Sequence, residues 1–490
     1  MKTSLLHFSA LTSTSALAAA MALSPIFAQA ETGVPGAAPA AAVSTPAATV
    51  PPAEKGTIAE PAAPVAADPF AFADFTWLNG NSRQTEFPLD SKIFTGEFTL
   101  DTNYIYDFAN PVDHTLVGST NSGRTSEVQV EQLGFGGDLH YQNVRGRFFT
   151  QFGMYSTMTP RNDASPARGQ WDLSDAYRYV SEAYGGYHWD VWNGINVDVG
   201  IFMSYIGLCS YYNYENWVYQ MSYVSANTPW FFNGIRVQTF PSDKLKLEYW
   251  LINGWQSYGM FNEAPGIGAQ VLWRPVGWFS LVSNSYIGHD TLLDASRLRV
   301  HSDNSVQVKY LDQPMNTVSK AAFSVTVDAG CENGGGVTCD GSSAPPQYFL
   351  GLMVYNRFWF LKDKFGLTLG GGAITNPGRY LVLTPPVNGA TANGNASPYF
   401  TQNPGDQFVA WDSSITADYM PSQFITLRLE YIHRHSSVPY FAGSGGVTPG
   451  EVSPAQLPSG GNVPGTASAN YTPDLEQDEN RINAALMVRI

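Results

Sequence analysis

From Phe94 to Phe108 the chain alternates without a break. Phe94, Gly96, Phe98, Leu100, Thr102, Tyr104, Tyr106 and Phe108 fall on one side, and Thr95, Glu97, Thr99, Asp101, Asn103, Ile105 and Asp107 on the other. An extended strand points successive side chains to opposite faces, so this period of two predicts a strand with one apolar and one polar face. Its length is unusual for a globular strand and right for a tilted strand crossing a bilayer. The pattern returns at Ile195, Val197, Val199, Ile201 and Met203, at Leu245, Leu247, Tyr249 and Leu251, at Ala321, Phe323, Val325 and Val327, and at Leu427, Leu429 and Tyr431. Alternation by itself fits a soluble sandwich as well as a membrane barrel.

The connections separate the two. Tight turns are expected at Gln142 to Arg145, Asp190 to Gly194, Pro241 to Lys244, Arg274 to Gly277, Asp312 to Thr317, Leu361 to Lys364 and Met420 to Gln423. Long connections lie between them, near 109–124, 156–177, 207–229, 255–265, 288–302, 330–346, 376–406 and 436–479. Strict alternation of short and long is the habit of outer-membrane barrels, and Greek-key sandwiches have no reason to share it. Aromatics flank the short turns: Trp189 and Trp192, Phe240, Trp273 and Trp278, Phe360 and Phe365, Tyr419 and Phe424. Such amphipathic rings prefer the headgroup level of a membrane. Alternation resumes from Arg481 to Ile490, placing a last strand where it closes onto the first. The expected fold is all-β, an up-and-down antiparallel transmembrane barrel of about sixteen strands.

Composition agrees. The 490 residues carry 26 Lys and Arg against 41 Asp and Glu, a net charge of −15 that leaves no basic surface for nucleic acid. Residues 1–30 read as a signal peptide, with Lys2, an apolar run from Ala10 to Leu23 and the small-residue site Ala28-Gln29-Ala30. Beyond them no apolar run is long enough for a membrane helix. Residues 31–69 are an Ala/Pro-rich stretch that cannot pack a core, expected to be a periplasmic linker, and 70–490 are expected to form the barrel.

Catalytic signatures are missing: no His-Glu-x-x-His, Walker loop, Gly-x-Ser-x-Gly or Cys-x-x-Cys occurs, and no cofactor or metal is expected. His433 and His435 share a strand face near a strand end and read as interfacial. The polar faces carry the chemistry. Inward acids are expected at Glu97, Asp101, Asp138, Glu182, Asp198, Glu248, Asp328, Asp412 and Asp418. Inward bases are expected at Arg147, Arg178, Arg236, Lys246, Lys309, Lys320, Arg428, Arg434 and Arg481. A packed core could not hold so many charges, whereas a water-filled lumen solvates them. On that reading they set ion selectivity and leave folding alone, and their mixed signs suggest a transverse field.

Two connections stand out. Cys331 and Cys339 enclose a glycine-rich spacer suited to a local disulfide, with Cys209 left over. The connection from Gly207 to Pro229 carries Tyr211, Tyr212, Tyr214, Trp217, Tyr219 and Tyr223, too apolar to wave in water. It is expected to fold at or into the mouth and constrict the pore, with a short amphipathic helix through Trp217, Val218, Met221 and Val224. The competing reading extends the interfacial girdle with these rings.

The opening Asp74-Phe-Thr-Trp-Leu-Asn-Gly80, the strand Gln132-Leu-Gly-Phe-Gly-Gly-Asp138 and the aromatic segment Tyr211 to Tyr223 followed by Val224-Ser225 resemble the OmpL-like β-barrel porins of Gram-negative bacteria. The resemblance covers roughly Phe70 to Ile490 and implies a pore without naming a solute. The expected function is passive diffusion of small hydrophilic solutes through a charged lumen, with outer-membrane lipid around the barrel and no enzymatic activity. Many general porins are trimers, which leaves a homotrimer open. Two alternatives stand beside it: a barrel enzyme of the protease or phospholipase type, marked by a Ser/His or Asp/His cluster at the loop side, and a non-conducting structural barrel, marked by a lumen filled with side chains.

Overall fold

The computed structural model describes residues 68–120, 122–342, 346–378, 380, 408–447 and 474–490. The expected signal peptide and nearly all of the expected linker lie outside them. The wall is built from β1 (Phe94–Asp107), β2 (Val128–Tyr141), β3 (Val144–Thr150), β4 (Val180–Trp189), β5 (Ile195–Met203), β6 (Phe231–Ser242), β7 (Leu245–Ile252), β8 (Gly266–Trp273), β9 (Phe279–Gly288), β10 (Leu298–Asp312), β11 (Val318–Asn333), β12 (Tyr348–Phe360), β13 (Phe365–Thr375), β14 (Val409–Ser422) and β15 (Ile425–Ser436). Two short strands, β16 (Phe441–Ala442) and β17 (Leu475–Glu476), pair with each other apart from the wall, and β18 (Asp478–Arg489) completes it. The sixteen wall strands form one closed barrel. β18 joins β15 on one edge and β1 on the other, with Leu100 opposite Val488 and Asp107 opposite Arg481. Closure satisfies every edge, which lipid requires because it offers no hydrogen bonds.

All seven short turns fall where the sequence places them, and the strand ends joined by the long connections share the opposite end. The faces also follow the alternation: Leu429 is 56% exposed and its neighbour Glu430 is 0% exposed. Phe98, Tyr104, Val199, Leu251, Val327, Leu427 and Leu486 are outward and exposed, an apolar belt for lipid. Trp189, Trp192, Trp273, Trp278, Phe365 and Tyr419 are exposed beside the short turns. Leu429→Arg puts a charge into that belt and is expected to cost about 2–4 kcal/mol near the bilayer midplane. Loss of the fast-migrating unboiled band on gels measures it.

Two features depart from simple alternation. β2 bulges opposite Asp101 and Thr102, which turns both Glu131 and Gln132 away from lipid. Ile201, on the outward side, is buried beneath Phe231 and Tyr258 with Tyr177 and Leu173 packed on them, so two long connections fold down over the rim there. Ahead of β1, Phe75, Trp77 and Leu78 are buried, whereas Phe87, Leu89 and Ile93 are exposed.

The Cys331–Cys339 disulfide is present, with Cα atoms 5.4 Å apart, at the loop end of β11. Cys209 is free and buried, and its burial pushes the thiol up to about 11. Native protein is therefore expected to resist a maleimide reagent at neutral pH, to take up two labels after reduction and a third only after unfolding. Labelling of Cys331 or Cys339 without reductant contradicts the assignment.

Candidate functional site

The connection between β5 and β6 turns inward. Tyr211, Tyr212, Trp217, Val218, Tyr219, Met221, Tyr223 and Val224 are all buried within the barrel. Only a 3-10 turn at Asn213–Glu215 and one helical turn at Tyr223–Ala226 are helical, so the expected helix through Trp217 does not form. The wall claims the backbone groups that such a helix needs. Glu430 accepts hydrogen bonds from the amides of Tyr219 (2.6 Å) and Gln220 (2.8 Å). Asp412 accepts from the Tyr223 amide (2.9 Å) and from Ser222 Oγ (2.7 Å). A buried amide bonded to a carboxylate is satisfied as well as in a helix, and the charge makes the bond stronger. Opposite the helical turn the wall is thinned by glycine, since a Cβ on Gly372 would collide with Ser222 Oγ.

A second segment, from the turn side, locks the first. Trp77 Nε1 donates to the Gly277 carbonyl in the β8–β9 turn (3.1 Å), and Arg83 donates to the carbonyls of Ser422 (2.9 Å) and Ile425 (2.7 Å) at the β14–β15 turn. The segment thus straps across the mouth. Between those ends Asn79 donates its amide to Gln307 Oε1 (2.8 Å) and accepts the Trp217 amide at Oδ1 (2.8 Å). Trp217 Nε1 donates to the Trp77 carbonyl (3.2 Å), and the Gly80 amide to the Glu215 carbonyl (3.1 Å). Gly80 has φ +73°, and a Cβ there would strike the Leu208 carbonyl. The Asp74–Gly80 motif is therefore a clasp for the inserted loop.

The named wall charges divide into two groups. On the β11 to β1 side they are buried and committed. Asp418 accepts from Arg428 Nε (2.6 Å) and Arg357 Nη1 (2.8 Å), and Arg428 also donates to the Asn216 carbonyl (2.7 Å). Asp101 accepts from Tyr219 Oη and Asn213 Nδ2, each at 2.9 Å. Arg434 lies 4.2 Å from the Tyr223 ring centroid, Arg481 donates to Gln220 Oε1, and both flank Glu479. Asp328 holds His301 Nε2 at 2.6 Å. These charges are not bathed in water as the sequence reading expected. The inserted loop displaces the solvent, and its polar groups take over the solvation at Asp101, Arg428 and Arg481.

On the β1 to β7 side Glu97, Asp138, Arg147, Glu182, Arg236, Lys246 and Glu248 border open space, with Asp198 buried behind them. Arg147 binds Glu97 (2.9 Å), Asp138 (2.8 Å) and Glu182 (2.6 Å) at once. Asp198 binds Arg236 (2.8 Å) and Arg145 (3.1 Å), and Lys246 binds Glu248 (2.6 Å). On β11 and β10, outside both groups, Lys320 pairs with Asp363 (2.7 Å) and Lys309 with Asp312, the Lys309 Nζ lying 5.8 Å from the Trp77 ring centroid beneath the strap. Arg178 is the exception among the expected lumen charges. It caps the short helix Leu173–Tyr177 in a long connection and pairs there with Asp175. The expected histidine positions hold: His433 and His435 lie on the outer face against Trp411, bonded to Asn480 and Asp478.

Sequence reasoning missed Glu430, Arg357, Arg489, Glu215 and Arg274. Glu430 was within reach, two residues after Arg428 on the same face. Arg357 lies in Asn-Arg-Phe-Trp-Phe, where aromatics on both faces hide the period. His301, near the loop side, is held by Asp328 and by Tyr380 Oη (2.9 Å), and no serine hydroxyl takes either of those places.

Two sizeable cavities lie at the turn side among the described residues. One of about 390 Å³ is bordered by Glu97, Asp138, Arg147, Glu215 and Arg489, and one of about 320 Å³ by Arg236, Lys246, Gln270, Arg274 and Gln307. Glu182, Met203 and Ser210 border both, so the two adjoin.

Comparison with known proteins bears on this geometry. No curated protein matches the chain. Among solved structures, OmpT of Vibrio cholerae expressed in the outer membrane is 9% identical with TM-score 0.45, over 82% of this chain and 99% of that one. The anion-selective porin from Comamonas acidovorans is 9% identical with TM-score 0.44, over 81% and 99%. The outer membrane channel DcaP of Acinetobacter baumannii is 13% identical with TM-score 0.44, over 81% and 96%. The family model described as "Putative beta-barrel porin-2, OmpL-like" matches residues 94–456, which takes in β1 through β16 and the inserted loop. The chain belongs to this OmpL-like β-barrel porin family and is an outer-membrane barrel of the porin type.

Proposed function

We propose that the barrel conducts small hydrophilic solutes passively, and that their route runs beside β2 to β9 and not through the centre. The observation that carries this is the one-sided filling of the lumen. The half against β11 to β1 is packed with the loop and its ion pairs, whereas the half against β2 to β9 keeps two adjoining charged cavities open toward the turn side. Paired charges around open space solvate polar solutes and repel apolar ones. Toward the loop side the route narrows at Tyr205, Tyr211 and Trp230, all buried, so passage requires the loop to yield there.

The filled half also favours the second reading, a structural barrel that does not conduct. Planar bilayers decide between them. Purified protein is expected to give small ohmic steps, below those of an unobstructed barrel of sixteen strands. Complete silence at protein loads that insert detectably hands the barrel to the structural reading.

A further inference from the structure

The two adjoining cavities carry opposite charge excesses. Around the first, the carboxylates of Glu97, Asp138, Glu182 and Glu215 are matched by only two guanidiniums, Arg147 and Arg489. Asp138 is the most open of them, with 51% of its side chain exposed. Around the second, the carboxylates are Glu182, bound by Arg147, and Glu248, bound by Lys246; the cations are Lys246, Arg236, which pairs with the buried Asp198 behind the lining, and Arg274, which is left over. Its guanidinium lies between the rings of Phe70 (5.1 Å) and Phe75 (4.9 Å), with Ser280 Oγ at 3.4 Å and no carboxylate partner among the described residues. An acidic pole and a basic pole thus face one continuous space.

The separation of the poles sets the size of what fits. Glu182 on β4 and Arg274, just past the end of β8, border the same cavity four strands apart, roughly 19 Å of wall at about 4.8 Å per strand. Less the reach of the two side chains, that matches an extended chain of about three to five residues at roughly 3.5 Å each. Between the poles the lining includes the amide side chains of Gln238 on β6 and Gln270 on β8, groups of the same kind as peptide groups, with their Nε2 donors already bonded to Glu248 and to Tyr205 and Asn284. Resting on the reading of these cavities as the solute's route, the geometry points to a zwitterionic oligopeptide of about three to five residues as the selected solute. Its ammonium group sits beside Glu182, in the field of the open Asp138 two strands further on, and its carboxylate at Arg274.

Calorimetric titration of the full-length barrel in detergent tests this with tetra-alanine, its N-acetyl form, its C-terminal amide and free alanine. Tetra-alanine is expected to bind saturably, each capped form at least tenfold more weakly, and alanine not measurably, since it cannot reach both poles. Arg274→Gln is expected to bring tetra-alanine and its amide to equal affinity while the N-acetyl form stays weaker, and Asp138→Asn to weaken the preference for a free amino terminus. Equal affinity for all forms, binding of alanine as tight as that of tetra-alanine, or no saturable binding overturns the proposal. Binding is read without a membrane, so silence in bilayers with charge-dependent binding intact sinks the channel reading alone, and conduction without such binding sinks only this one.

Discussion

Arg428→Glu is expected to stop the barrel from reaching its folded, heat-resistant state. The sequence reading treats Arg428 as a pore charge, free to be reversed at no cost to assembly, and the structure reverses that expectation. Its guanidinium is buried, bonded to both oxygens of Asp418 and to the Asn216 carbonyl of the inserted loop. A glutamate there faces Asp418 across the strand pair and stands two residues from Glu430 on the same wall face, with Arg357 left as the one cation bonded to Asp418 among the described residues. Removing one partner of a buried pair costs about 3–5 kcal/mol, and adding a like charge costs more. The unboiled gel band and the urea midpoint read the loss. Arg274→Gln is the comparison, because that cation borders open space and has no carboxylate partner among the described residues. If Arg428→Glu folded like the wild type and merely shifted the reversal potential, the packed half of the lumen would have to be solvated after all.

Where the sequence was legible and where it was not follows from the range of the forces involved. Alternation, turn chemistry and turn-side aromatics are local, so strand faces, the short turns and the interfacial ring could be read directly, down to Leu429 outward and Arg428 inward. What fills the barrel is set by contacts between segments far apart in the chain. Nothing near Trp217 announces that its amide will meet Asn79, or that Glu430 will hold the next turn of the loop. The aromatic count correctly argued that the segment is buried. It could not tell that wall carboxylates would claim the amides at Tyr219, Gln220 and Tyr223 and so replace the expected helix with an irregular path. Arg178 shows the opposite error: it lies close to the polar face of β4, yet it precedes the strand and caps a helix in the connection.

Deleting residues 70–83 is expected to leave the barrel closed and to raise its single-channel conductance several-fold. Every wall strand lies between Phe94 and Arg489, so no ladder hydrogen bond of the wall is lost. What goes is the strap: the buried Phe75, Trp77 and Leu78 and the polar clasp on the loop. Without Asn79 and Trp77, the Trp217 amide and indole N–H lose both acceptors, and a buried donor left without a partner costs about 1–3 kcal/mol. The loop's turn-side half, from Leu208 to Trp217, then has water beneath it and the strongest reason to shift, while Asp412 and Glu430 still hold Tyr219 to Tyr223 against the far wall. The cavities widen because Asn79 and Gly80 border one of them directly. Asn79→Ala removes the clasp and keeps the strap, and is expected to give openings more frequent than wild type but smaller than those of the deletion. A deletion variant with the fast-migrating band intact and conductance unchanged would show that the strap covers a mouth already sealed by the loop, and the route would have to be sought elsewhere in the barrel.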